Sequence, residues 1–287
     1  MIKSKNYICP KTKSNLFVEN KFLFTKKNRY KIIKNKETDN KEVIDFIDEA
    51  KTDNFYREKK FYKNYLDWLS KTLLMSIQQI RNEIFSKIEV KKNSSILFVG
   101  CGFGDEINFF IKKYGKDHNI FAQDISKSMV LESSKNVKLS NVKFSISAAE
   151  NLPYMKNTFD LIFHFGGFNQ FKNKKRSINE MYRICKENGT IFISDEGMGP
   201  WFNKSESFKA LKINNSLWSS KPPLSLIPDS STSVELRWIL KNNFYCIMFK
   251  KKSFFHKINY NIKHKSPRGG SAKSRYEAYY KKKLIIK

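Results

Sequence analysis

The chain has 287 residues, 40% of them hydrophobic, and carries 55 Lys and Arg against 27 Asp and Glu, a formal net charge of +28. It is long enough to bury one large core with appendages. Its apolar runs are short and broken by charge, which excludes a membrane span of roughly 20 residues, and residues 1–7 lack the apolar stretch of a signal peptide, so a cytoplasmic location is expected. Cys9, Cys101, Cys185 and Cys246 form no CxxC pair and have no His at ligand spacing, which argues against both a disulfide framework and a bound metal. The lysines are spread along the whole chain beside abundant Asn, Ile and Phe, the usage of an AT-rich genome and of an ordinary solvated surface; a functional basic face is the alternative reading.

Residues 1–40 read as a small β unit, with apolar pairs in NLFVENKFLF and YKII separated by turn-prone Asn and Lys. From Lys41 the pattern turns helical. Val43, Ile44 and Ile47, then Tyr62, Tyr65, Leu66, Leu69, Leu73, Ile77, Ile80 and Ile84, recur at three and four, so 41–94 is expected to be a helical region packed on the next domain. Residues 95–260 form the expected main domain. Strand-length runs ILFVG (96–100), NIFAQD (119–124), VKFSIS (142–147), FDLIFHF (159–165) and TIFISDE (190–196) alternate with helical segments starting near Asp105, Ser126 and Asn173. That alternation is the signature of a parallel sheet covered on both faces. An insert rich in Trp, Pro and Ser spans about 197–232, and VELRWIL and FYCIMFK then read as an antiparallel hairpin, although 234–240 alone also fits a helix. Residues 261–287 are a basic tail. The fold class expected is α/β: a Rossmann-like, mostly parallel seven-stranded sheet with helices on both faces and a C-terminal antiparallel hairpin.

The segment that carries chemistry is ILFVGCGFGDEINFF, where a buried strand enters Gly100-Cys-Gly102-Phe-Gly104 and runs straight into a helix. Glycine at such a turn brings main-chain N–H groups close to a ligand and seats the helix N-terminus against it. Asp124 ends the next strand about twenty residues on, where a carboxylate accepts hydrogen bonds from both hydroxyls of a ribose. The spacing GxGxG differs from the dinucleotide GxGxxG, and no GxxxxGK[ST] loop occurs, so a nucleoside without a pyrophosphate is favoured.

With VGCGFGDE (99–106), QDISKSM (123–129), AAENLPYMKNTFDLIFHFGG (148–167) and INEMYRICKENGTIFISDE (178–196) in this order, the chain resembles the class I S-adenosylmethionine-dependent methyltransferases. The likeness is greatest to the group related to the ubiquinone/menaquinone-biosynthesis C-methyltransferases. The resemblance implies S-adenosyl-L-methionine as cofactor. It implies that Gly100, Gly102 and Gly104 shape the loop under the methionine part, that Asp124 holds the ribose and Ile125 packs on adenine, and that Ala149 and Glu150 line the adenine pocket. Phe98 stands where an acidic residue is often found, and Ala148 where an Asp often precedes the Ala-Glu pair. The string NLPY (151–154) also occurs in rRNA adenine dimethyltransferases, but there it follows the fourth strand, whereas here it precedes FDLIFHF. The N-terminal YICPKTKSNLF resembles the zinc-ribbon-like segment before many bacterial methyltransferase domains, with Thr12 in place of the second Cys.

Methyl transfer needs positioning, and a base where the nucleophile carries a proton. His164 is the candidate base by type and position, and Asp195 and Glu196, ending the fifth strand, are candidates to orient a substrate amine or hydroxyl. Asn169 follows the fourth strand, Trp201 lies in the insert, and Arg268 and Arg275 in the tail suit an anionic group; these four are the candidate substrate contacts. The acceptor is expected to be a small molecule, anionic or amphiphilic. An RNA or protein methyltransferase working through the basic surface, and a cofactor-binding scaffold without transfer activity, are the alternatives.

Overall fold

A computed structural model describes residues 2–35, 41–47, 59–202 and 204–252, and in the C-terminal segment 261–262, 271, 273–274 and 276–279. The chain divides into a main unit, Met1–Lys252, and a separate segment, Ser253–Lys287. Arg268 and Arg275 lie outside the described residues.

In the main unit five parallel strands follow the expected alternation: β6 (Ser95–Val99), β7 (Asn119–Asp124), β8 (Lys143–Ile146), β9 (Phe159–Phe165) and β10 (Cys185–Glu196). Each is covered on both faces, and the buried residues are mostly apolar. In β6, Ile96 and Phe98 join one buried cluster while Leu97 and Val99 join the other. The first cluster takes side chains from α1 (Lys59–Leu73), α2 (Ile77–Ile84), α3 (Asp105–Tyr114) and α4 (Lys127–Asn136); the second is closed by α5 (Lys174–Ile184). Local chemistry sets where the helices begin: the side chains of Ser76, Ser126 and Asn173 accept the N–H groups of Gln79, Met129 and Arg176 and so cap α2, α4 and α5. β11 (Thr232–Ile239) and β12 (Phe244–Lys250) form the expected hairpin, with β12 antiparallel to β10, and the insert before it carries a short helix, α6 (Glu206–Asn214).

Two expectations are corrected. The sheet has twelve strands rather than seven, and it is mixed: its order is β1-β2-β3-β4-β5-β8-β7-β6-β9-β10-β12-β11. The extra five, β1 (Ile2–Ile8), β2 (Asn15–Glu19), β3 (Phe22–Phe24), β4 (Arg29–Asn35) and β5 (Lys41–Asp45), form an antiparallel meander whose last strand pairs in parallel with β8. The stretch Lys41–Asp45, expected to open the helical region, is therefore a strand. Val43 packs into the first cluster and its neighbour Ile44 into the second, so adjacent apolar residues here mean a strand buried on both faces.

Among the described residues no helix is long and apolar enough to cross a membrane.

Candidate active site

The loop after β6 turns on three glycines in the left-handed region, Gly100 at φ 66°, Gly102 at 52° and Gly104 at 86°, but they do different work. A Cβ on Gly102 would meet nothing within 4 Å, so this residue faces open space. A Cβ on Gly100 would stand 3.2 Å from the His164 ring. Gly104 does not border the cavity, contrary to expectation: a Cβ there would lie 2.6 Å from Ser133 Oγ and 2.7 Å from Val137 Cγ2, so its role is close packing of the start of α3 against α4.

The open space is part of a cavity of about 850 Å³ at the carboxyl ends of the parallel strands. Gly100, Gly102, Asp124, Ile125, Ala149 and Glu150 line the cavity together. The buried Asp124 carboxylate accepts from the main-chain N–H of Gly102 at 3.0 Å and of Ser126 at 2.9 Å. Burial pushes its pKa up, against those N–H groups, which pull it down. Ile125 is 40% exposed. Glu150 accepts from Asn173 N at 3.1 Å, so its carboxylate also caps α5. Phe98 is buried against Phe110 and Phe163, and Ala148 lines the cavity without a polar group.

The opposite wall comes from α1 and α2. Tyr62, Tyr65, Leu66 and Leu69 from the first, and Ile77, Ile80, Arg81 and Ile84 from the second, line the cavity with Phe165 and Phe244. Arg81, 3.5 Å from both Asp105 and Glu106, is its cation at the glycine loop. Tyr65 Oη donates to Glu196 Oε1 at 2.6 Å, which sets a hydroxyl–carboxylate pair in the wall.

His164 is 1% exposed and donates from Nδ1 to the Val99 carbonyl at 2.7 Å, while its buried Nε2 has no hydrogen-bond partner among the described residues. Burial lowers its pKa to about 4, against the Val99 contact and the Glu196 charge, which raise it. The imidazole therefore stays neutral near pH 7 and is a weak proton acceptor, unlike the base expected from its position.

Two expected substrate contacts lie elsewhere. Asn169 has both ends of its amide engaged: Nδ2 donates to the Glu196 carbonyl at 2.7 Å and Oδ1 accepts from Tyr245 at 3.0 Å. It braces the β10 end instead of facing the cavity. Trp201 is 64% exposed and packs on Trp238 at 5.7 Å between ring centroids, away from the cavity wall. The insert is anchored inward by another indole, Trp218, against Trp68 and Phe244. Asp195, fully buried, accepts the main-chain N–H groups of Gly167, Asn169 and Glu196 and thereby shapes the loop after β9. Burial, and then the neighbouring Glu196, push its pKa upward.

Sequence reasoning missed Tyr65 and Arg81 as site residues. The signal was present: Arg81 sits four residues after Ile77 on the apolar stripe of α2, where a purely packed helix would carry a hydrophobe.

The chain is similar to known proteins in sequence and in fold. The family described as "Methyltransferase domain" matches residues 90–251, more than half of the chain. The ubiquinone/menaquinone biosynthesis C-methyltransferase of Hydrogenovibrio crunogenus is 31% identical over 108 residues, which is 36% of this chain and 42% of that protein. The demethylmenaquinone methyltransferase of a Geobacillus species is 28% identical over 136 residues, 46% of this chain and 58% of the relative. The alignments thus span about half the length of these curated relatives. Among solved structures, the phosphoethanolamine N-methyltransferase 2 of Haemonchus contortus in complex with S-adenosyl-L-methionine superposes with a TM-score of 0.54 at 14% identity, covering 69% of this chain and 59% of that one, a likeness of fold. The chain belongs to the methyltransferase domain family. Within it, the chain is related to the ubiquinone/menaquinone C-methyltransferase group, and S-adenosylmethionine is the cofactor that this membership implies.

The residues present fit that cofactor: Gly102 leaves open the space a side chain would fill, and the Asp124 carboxylate lines the same space.

Proposed function

We propose that this chain methylates a small molecule with an apolar body, bound between the strand ends and the α1–α2 wall. The observation that carries the reading is the cavity itself. About 850 Å³ is continuous from Gly102 and Asp124 to an apolar wall of Leu66, Leu69, Ile77, Ile80 and Ile84, in which Tyr65 and Glu196 are a polar pair. Enclosed apolar walls with a few convergent polar groups are the usual form of small-molecule sites.

When bound, S-adenosylmethionine supplies a methyl group activated by its positive sulfur. Gly100 and Gly102 present main chain to its methionyl part, and Arg81 suits the carboxylate there, being a forked donor that keeps its charge. Asp124 accepts from the ribose, while Ile125 and Ala149 wall the adenine. Glu196, with its carboxylate held by the Tyr65 hydroxyl, is the group we assign to take the nucleophile's proton, directly or through Tyr65 Oη. His164 keeps the floor of the site uncharged. The acceptor-side roles expected of Asn169 and Trp201 pass to Tyr65 and the α1–α2 stripe.

Replacing Glu196 by Gln keeps the shape and removes the base. With an acceptor in hand, kcat should fall at least about a hundredfold, the low end for a lost general base, while the affinity for S-adenosylhomocysteine stays that of wild type. An unchanged kcat contradicts the role given to Glu196.

A further inference from the structure

Residues 148–151 line the cavity, and the chain behind them, residues 152–154, is held by the N-terminal strands. The main-chain N–H of Ile8 donates to the Pro153 carbonyl at 2.9 Å. Tyr7 and Tyr154 form an antiparallel bridge, both buried, with ring centroids 5.6 Å apart. Lys13, in the turn between β1 and β2, is the charged part of this arrangement. Its Nζ lies 2.6 Å from Glu180 Oε2 on α5 and 3.5 Å from the Leu152 carbonyl. Arg183 completes the clamp, donating to Glu180 and to the carbonyls of Tyr154 at 2.8 Å and Leu152 at 3.0 Å.

The turn that presents Lys13 is itself fixed. Cys9 N donates to the Ser14 carbonyl and Lys13 N to the Cys9 carbonyl, and the buried Cys9 thiol packs against Tyr30 Oη at 3.1 Å. Glu180 is largely withdrawn from solvent. Burial raises its pKa, but the bonds from Arg183 and Lys13 outweigh this and hold it below the usual carboxylate range. The meander therefore does more than widen the sheet. Backbone pairing, an aromatic contact and the Lys13–Glu180 ion pair all meet at residues 152–154, directly behind the cavity wall.

We propose that Lys13 is a positioning residue for the cofactor: through Glu180 and the Leu152 carbonyl, the β1–β2 turn holds the wall segment 148–151 in its binding geometry. This rests on the assignment of that segment to the cofactor side of the cavity. Without Lys13 the loop keeps its Arg183 bonds and its pairing with β1 but loses the charged contact from the β1–β2 turn, so the wall is less ordered before the ligand binds, and affinity falls by the free energy of the added ordering.

The test titrates S-adenosylhomocysteine into the full-length protein by calorimetry, for wild type and for Lys13→Met, Lys13→Arg, Arg29→Ala and Asp124→Ala. Arg29 lies over the Phe22 ring in the same meander and does not touch the loop, so it controls for general loosening. The Kd of Lys13→Met should rise roughly five- to tenfold, the size of one ordinary hydrogen bond, as suits a partly exposed lysine. Lys13→Arg should recover most of that loss and Arg29→Ala should bind as wild type. Hydrogen exchange of the amides 149–152 in Lys13→Met, without ligand, should be faster than in wild type, and KM for S-adenosylmethionine should rise with kcat unchanged. Wild-type affinity in Lys13→Met together with a loss in Asp124→Ala overturns the role of Lys13 and leaves the pocket standing. A loss that Arg29→Ala shares, or that Lys13→Arg does not recover, also overturns it. Wild-type affinity in Asp124→Ala would remove the pocket assignment and this inference with it.

Discussion

A Cβ on Gly100 would stand 3.2 Å from both Nδ1 and Cε1 of His164, so the first glycine of the loop and the histidine at the end of β9 occupy complementary space. The ring has no room to yield, being bonded to the Val99 carbonyl and packed against Phe168 and Phe171.

Gly100→Ala should therefore destabilise the protein by more than the roughly 1–2 kcal/mol that a left-handed backbone costs a non-glycine residue. Replacing His164 by Ala should relieve the excess, giving a coupling of about 1 kcal/mol in a double-mutant cycle followed by urea unfolding. Additive effects would contradict the contact.

His164 also makes stability depend on pH. Its pKa is lowered from 6.5 to about 4 in the folded protein, so below pH 6.5 the unfolded chain binds a proton that the folded one does not. The contribution of His164 is full above pH 6.5 and declines as pH falls toward 4, by up to about 3 kcal/mol at 1.36 kcal/mol per unit. Unfolding curves at pH 7.5 and 5 should show a smaller difference for His164→Asn than for wild type. Equal slopes would mean that the imidazole titrates normally.

Gly104 and Asp124 separate fold from binding. Gly104→Ala drives a methyl into Ser133 and Val137 and should lower the melting temperature, with residual folded protein still binding cofactor. Asp124→Ala removes a charge-assisted acceptor and should weaken S-adenosylhomocysteine by roughly 1.5 to 3 kcal/mol. Calorimetry and thermal melts of the two variants check the pair, and the reverse assignment would show that Gly104 borders the ligand after all.

The strands β6 to β10 were legible because each is buried in the sheet, so its local pattern of apolar residues carries the message. The twelve-stranded extent was not. The N-terminal meander joins the sheet through the pairing of residues 43–45 with 144–146, about a hundred residues apart, and no local pattern encodes it. Nearer at hand, Val43, Ile44 and Ile47 share the spacing of a helix face, which hid a buried strand. The side of the cavity proposed for the cofactor was readable for the same reason as the strands: Gly100 and Gly102, then Asp124 with Ile125, then Ala149 with Glu150, lie at strand ends in fixed order. The side proposed for the acceptor is made by tertiary packing. Tyr65 gains meaning only when α1 brings it to Glu196, and Trp201 lost its expected place because its ring folds onto Trp238.

The central claim is that one cavity holds S-adenosylmethionine and a small acceptor. It is tested most directly by incubating the purified protein and methyl-labelled S-adenosylmethionine with a cell extract, then separating small molecules from RNA and protein. Gly102→Val, which fills the space under the cofactor, serves as the blank. The account predicts label in the small-molecule fraction with wild type and none with the variant; label confined to macromolecules and released by ribonuclease or protease would contradict it.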